Sequence, residues 1–143
     1  MPSQGQQSLD HRPPGRPRAT RWVLLAVIVV HTIVAAAQPV LAGSYFEGNV
    51  DAITTHGSIG SLLPLLSMIQ FGAAVLFWRP GHGPWWPVVA TAGVFLAEGL
   101  QIGLGFSRAL AIHIPLGVAI VSALVVLSIW ALRWRPTPSA SRR

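Results

Sequence analysis

Four long apolar runs alternate with short polar links along the chain. The first, 22–42, carries no charged side chain, and its length corresponds to about 30 Å of helix, the thickness of a bilayer's hydrocarbon core. Further runs cover 52–78, 85–106 and 109–132, joined by links at 43–51, 79–84 and 107–108. Links this short force neighbouring helices to run antiparallel. The pattern therefore predicts an all-α integral membrane protein, an antiparallel four-helix bundle over 21–134. Tails at 1–20 and 135–143, rich in Pro, Ser and Arg, predict disorder. The first run exceeds the short apolar core of a cleaved signal peptide and reads as a span.

Charge sets a direction. The 143 residues include ten arginines, no lysine and four acids. Nine of the ten arginines precede span one, lie between spans two and three, or follow span four. By the excess of basic residues on the cytoplasmic side, both termini are predicted inside, in a multi-pass cell-membrane protein, with Glu47, Asp51 and Arg108 on the outer side. All six tryptophans fall at or near the arginine-rich ends and read as an aromatic belt of interface anchors. The basic balance thus has its explanation in membrane topology, and a nucleic-acid partner is not expected. With no cysteine, disulfides, thiolate metal sites and thiol nucleophiles are excluded. Arginine without lysine suits a GC-rich bacterial genome and hence a bacterial inner membrane.

Polar groups inside spans are expensive and mark candidate sites. Here they are His31, Gln38, His56, Gln70, Glu98, Gln101 and His113. His56 and His113 stand near the outer starts of spans two and four, which run parallel on the diagonal of an up-down bundle, so both imidazoles reach a common centre. Each has a glycine four residues on, Gly60 and Gly117, on the same helix face. The missing side chain gives clearance for a flat macrocycle, although small residues also mediate plain helix contact. Gln38 and Gln101 recur at the outer ends of spans one and three, so the chain resembles two hairpins of one kind. Arg108, the one basic residue on that side, suits either a haem propionate or an ion pair with Glu47 or Asp51. Glu98 and His31 reach similar depth from the arginine-rich side and are expected to meet, as a proton partner for redox chemistry or as a polar clasp between helices. Pro64 and Pro115 free the carbonyls of Gly60 and Ala111 and predict kinks in the outer half.

The segment Leu100-Gln101-Ile102-Gly103-Leu104-Gly105, followed by His113 at the start of the next span, together with His56-x-x-x-Gly60, resembles one four-helix half of the haem A synthase family. That resemblance implies a haem held by histidines of the second and fourth helices, here His56 and His113. Two departures limit it. The family has two such halves, and it carries a glutamate just before the second-helix histidine, where this chain reads Asp51-Ala-Ile-Thr-Thr. Synthase activity is therefore not expected, nor enzymatic activity by the chain alone. The reading is a small cytochrome b-like protein of the bilayer, binding one haem b with Gly60, Gly117 and Arg108 around it and serving a quinol or membrane redox partner, with a homo-oligomer compatible. A cofactor-free scaffold or accessory subunit is the alternative from another class. A transporter or channel with Glu98 on the path is a third, disfavoured because one acid and a few glutamines make a poor hydrophilic route. No phosphate-binding loop, nucleophile triad or metalloprotease motif occurs.

Overall fold

The apolar runs become helices whose bounds follow local chemistry. A computed structural model describes residues 16–135, and the predicted tail segments 1–15 and 136–143 lie outside them. The helices are α1 (Arg16–Phe46), α2 (Val50–Gly60), α3 (Leu63–Trp78), α4 (Trp86–Phe106) and α5 (Leu110–Arg133). Among the described residues there is no strand. Four helical segments, 19–46, 50–78, 86–106 and 110–133, are long and apolar enough to cross a membrane.

Two bounds differ from the sequence reading. Residues 16–20, assigned to a tail, open α1. Arginine and alanine are good helix formers, and Pro17 stands in the first turn, where a missing N–H costs nothing. The second span is two helices: Ser61 and Leu62 form a turn between α2 and α3. Pro64 has no N–H to give Gly60, and Leu62 N–H turns to the Ile59 carbonyl, three residues back, at 3.0 Å. Pro39 and Pro115 stand inside α1 and α5, which run on through them.

Two of the turns close alike. After α1, Gly48 (φ +100°) donates its N–H to the Tyr45 carbonyl, and Asn49 to that of Ser44. After α4, Arg108 (φ +56°) donates to Gly105, and Ala109 to Leu104. Both are helix-terminating motifs whose left-handed residue is normally glycine. Arginine there carries a backbone cost of about 1–2 kcal/mol.

α1 packs against α2, α3 and α5, and α4 packs against α3 and α5, so the spans close a four-membered ring in chain order. Their buried positions step by four and three: Leu24, Ile28, His31 and Ala35 on α1; Leu63, Ser67, Gln70, Ala74 and Phe77 on α3; Thr91, Val94 and Glu98 on α4; Ile120, Leu124, Leu127 and Ala131 on α5. That alternation is the seam of a left-handed bundle. One apolar cluster, including Leu24, Ile28, Ala74, Phe77 and Leu127, fills the arginine-rich end, and a second, built on Ala35, Leu63, Val94, Ile120 and Leu124, lies nearer the histidines. Large apolar side chains such as Ile33, Met68, Leu96 and Val126 are exposed, while His31, Ser67, Gln70, Thr91 and Glu98 are buried.

The tryptophans divide. Trp22 and Trp85 are exposed, as interface anchors would be. Trp130 and Trp134 instead meet buried Phe77 edge-on, at 6.1 and 4.9 Å between centroids, and Trp86 meets Trp130 at 4.4 Å. Those three serve the core. Arg21 fastens the same end, donating to the carbonyls of Ala131 and Leu132 at 3.1 and 2.7 Å.

This end is closely packed at Gly83, where a Cβ would lie 2.3 Å from the Phe77 ring. Gly83→Ala is expected to destabilise the protein by about 1–3 kcal/mol, through displacement of that ring. Gly72→Ala, on an exposed stretch of α3 where a Cβ meets nothing within 4 Å, is expected to be neutral or mildly stabilising. Thermal unfolding in detergent compares the two, and equal midpoints would count against the packing described.

Candidate functional site

The core seam carries polar residues at two levels. The deeper level joins three helices. His31 on α1 approaches Glu98 on α4, with Nε2 2.7 Å from Oε1, and Gln70 on α3, with Nδ1 2.9 Å from Oε1. Ser67 Oγ donates to Glu98 Oε2 at 2.7 Å, and Gln70 Nε2 donates to Thr91 Oγ1 at 3.1 Å. All five residues are at most 2% exposed. As Gln70 is oriented, its carbonyl oxygen only accepts, so His31 Nδ1 bears hydrogen. His31 Nε2 and Glu98 Oε1 stand at hydrogen-bond distance, an ion pair when the imidazole is protonated. The expected meeting of His31 and Glu98 is found. Ser67 and Thr91 were missed by the sequence reading, and Gln70 was singled out without a partner. The signal was available: Thr91 lies seven residues before Glu98, two turns along one helix face.

The second level lies at the opposite end from most arginines. His56 on α2 and His113 on α5, diagonal across the ring, have ring centroids 6.1 Å apart and planes inclined at 62°. Each imidazole is held by the next span: His56 Nδ1 donates to the Gln38 carbonyl at 3.1 Å, and His113 Nδ1 to the Gln101 carbonyl at 3.0 Å. A carbonyl only accepts, so both Nδ1 atoms carry hydrogen and both Nε2 atoms keep their lone pairs. Neither Nε2 has a hydrogen bond among the described residues. These residues continue the seam outward, with Gln38 three residues after Ala35 and Gln101 three after Glu98.

The glycines stand against the glutamines. A Cβ at Gly60 would lie 3.4 Å from Gln38 Oε1, and one at Gly117 would lie 2.8 Å from Gln101 Nε2. The clearance expected for a macrocycle is therefore filled by two amides. Gln101 Nε2 donates to the His113 carbonyl at 2.8 Å, but Gln101 Oε1 and both amide atoms of Gln38 are buried without a hydrogen-bond partner. Such groups cost about 1–3 kcal/mol each. Arg108 is exposed, and no ion pair joins it to Glu47 or Asp51.

Two features bear on which ligand the histidines suit. Among the described residues, no three His, Cys, Asp or Glu side chains gather as a metal cage. A haem needs only two axial ligands from the protein. Held Nδ1–H groups with open Nε2 atoms form the ligating tautomer, with the second hydrogen bond that orients metal-bound histidines. The imidazoles fit the ligand requirement of a haem, whereas the macrocycle needs the Gln38 and Gln101 amides to leave the Gly60 and Gly117 faces.

No protein-family model, curated protein or solved structure matches the chain.

Proposed function

We propose that the protein is a small integral membrane haem protein, in which His56 and His113 would hold one haem b. The observation that carries this reading is the pair of diagonal imidazoles, ring centroids 6.1 Å apart, each fixed through Nδ1 to a backbone carbonyl with Nε2 left without a hydrogen bond. A resemblance to one half of haem A synthase supports it. Membrane insertion is supported by four apolar spans with lipid-compatible exteriors and polar interiors, and the distribution of arginine supports cytoplasmic termini. Bound there, the haem supplies one-electron redox chemistry, with a quinol or membrane redox protein as partner class.

The chain's own residues do the rest. Gln38 and Gln101 orient the imidazoles through their carbonyls. Their amides are long side chains on the glycine faces, and Gln38 is held by no hydrogen bond of its own, so it yields space readily. Arg108, five residues before His113, offers a planar guanidinium to a propionate. The backbone cost of placing arginine where Gly48 serves in the other turn is the observation that favours this role.

Absorption spectra of the detergent-purified protein from haem-replete cells, oxidised and then dithionite-reduced, test the reading. Sharp low-spin Soret and α bands are expected, and a colourless protein overturns it in favour of a cofactor-free scaffold. Arg108→Gly should separate fold from cofactor, raising unfolding stability by about 1 kcal/mol through backbone relief while weakening haem retention. Haem retained during dialysis against apomyoglobin, beside thermal unfolding of the apoprotein, provides the check. Unchanged retention would remove Arg108 from the site.

A further inference from the structure

Membrane topology accounts for the side on which the arginines fall, and the fold adds an arrangement: three separate segments meet at that end. A Cβ on Gly81, in the loop between α3 and α4, would collide with Thr20 Oγ1 of α1 and with the Phe77 carbonyl, so this loop lies directly on the start of α1. The next residue, Arg21, donates to the carbonyls of Ala131 and Leu132 at 3.1 and 2.7 Å, which brings in the end of α5. Phe77 and Trp134, 4.9 Å apart between centroids, join the last turn of α3 to the residue that follows α5. Arg79, Arg133 and Arg135, all exposed, therefore border one patch, with the partly buried Arg21 linking its sides.

Nothing among the described residues answers the charge of this patch. Glu47 and Asp51 stand at the turn between α1 and α2, at the opposite end, and Glu98 is buried at the deeper polar level. No carboxylate lies within ion-pair distance of these four guanidiniums. Two of them are steadied by tryptophan, Arg21 over the Trp22 ring at 5.1 Å from its centroid and Arg79 over that of Trp78 at 4.5 Å. A guanidinium held by its face keeps its in-plane N–H groups for an anion, and that fork matches two oxygens of a phosphate. Exposed Trp22 and Trp85 border the same patch where the apolar spans end, the level at which indole rings meet lipid headgroups. Uncompensated guanidiniums beside indoles and apolar spans suit a phosphate that carries acyl chains.

We propose that this end of the protein binds anionic phospholipid, holding the headgroup phosphate through Arg79, Arg133 and Arg135. The inference rests on the membrane insertion in the reading above and is independent of the haem. A basic side chain beside an anionic leaflet strengthens binding about fivefold, so three together give a preference for anionic over zwitterionic lipid on the order of a hundredfold at low salt. The contacts are exposed, and the preference falls as the screening length contracts from about 10 Å at 0.1 M to about 3 Å at 1 M salt.

All six tryptophans fall at or near this end, so the protein carries its own probe. The full chain is reconstituted into phosphatidylcholine vesicles doped with brominated phosphatidylglycerol or, separately, brominated phosphatidylcholine, and tryptophan quenching reads which lipid touches the patch. In the wild type the brominated phosphatidylglycerol is expected to quench at a far lower mole fraction, and the difference should shrink at about 1 M salt. In Arg79→Gln/Arg133→Gln/Arg135→Gln most of the preference should be lost. These side chains are exposed and make no hydrogen bond among the described residues, so helical circular dichroism should be unchanged. The wild-type preference and its loss in salt stand as a test if the variant fails to fold. Equal quenching by the two lipids in the wild type, or a preference that survives in the folded triple variant, overturns the proposal while leaving the membrane reading. Inorganic phosphate that displaces brominated phosphatidylglycerol better than chloride at equal ionic strength would assign the patch to free phosphate and overturns it too. Quenching by neither lipid overturns membrane insertion itself.

Discussion

His56→Ala and His113→Ala should each abolish the low-spin haem spectrum in a protein that still folds. Both imidazoles are partly exposed, and each contributes one hydrogen bond to a backbone carbonyl, worth about 1 kcal/mol to the fold. If the two rings hold the proposed haem, losing either matters far more for the cofactor, and haem retained through purification should fall at least tenfold. Equal loss in the two variants is expected, because Gln38 and Gln101 hold the rings in the same way from successive hairpins. Helical circular dichroism measured beside the absorption spectrum separates the causes. Bands that survive either substitution would remove that histidine from the ligand pair, and bands lost together with helicity would mean the substitution had acted on the fold.

The second large effect lies at the deeper level. His31→Leu leaves Glu98 buried with only Ser67 as donor, and Glu98→Leu leaves a buried imidazole nitrogen unpaired. Removing one member of a buried pair commonly costs about 3–5 kcal/mol. The double variant His31→Leu/Glu98→Leu removes both needs at once and refills much of the volume with apolar groups, so its cost should fall short of the sum of the singles by about 2 kcal/mol or more. Unfolding in mixed micelles, run as a double-mutant cycle, measures this. Strict additivity would mean that the 2.7 Å contact contributes no coupling.

Much of this architecture was legible in the chain because hydrophobic length and arginine placement act over whole spans. The number of spans, their order and the opposition of His56 to His113 follow from run lengths and short links. The break at Ser61–Leu62 was only half legible. Pro64 and Pro115 each signal a lost hydrogen bond, but glycine at 57 and 60 weakens the turns before Pro64, whereas no glycine precedes Pro115 in α5. The amides over Gly60 and Gly117 were not legible at all. A glycine records that something approaches closely, without recording whether it is a cofactor or a glutamine from the next helix. Trp86, Trp130 and Trp134 misled for a related reason, since position along a span gives depth but not direction around it. Thr91 and Ser67 passed as ordinary small residues because only the three-dimensional register of α3 against α4 brings them to Gln70 and Glu98.

The interruption of the second span also divides it mechanically. α3 is wedged between α1 and α4, whereas α2 has its main packing against α1 alone. Local opening free energies follow such differences in buried contact. Backbone amides of α2 should exchange with deuterium well before those of α3, although the two halves occupy one apolar run. His56 therefore rides on the segment that opens first, and His113 on a continuous helix. A rigid, planar guest needs one wall to swing aside and the other to stay. On the proposed haem reading, the Ser61–Leu62 joint is where the α2 wall of the histidine site would give way without disturbing the packing of α3.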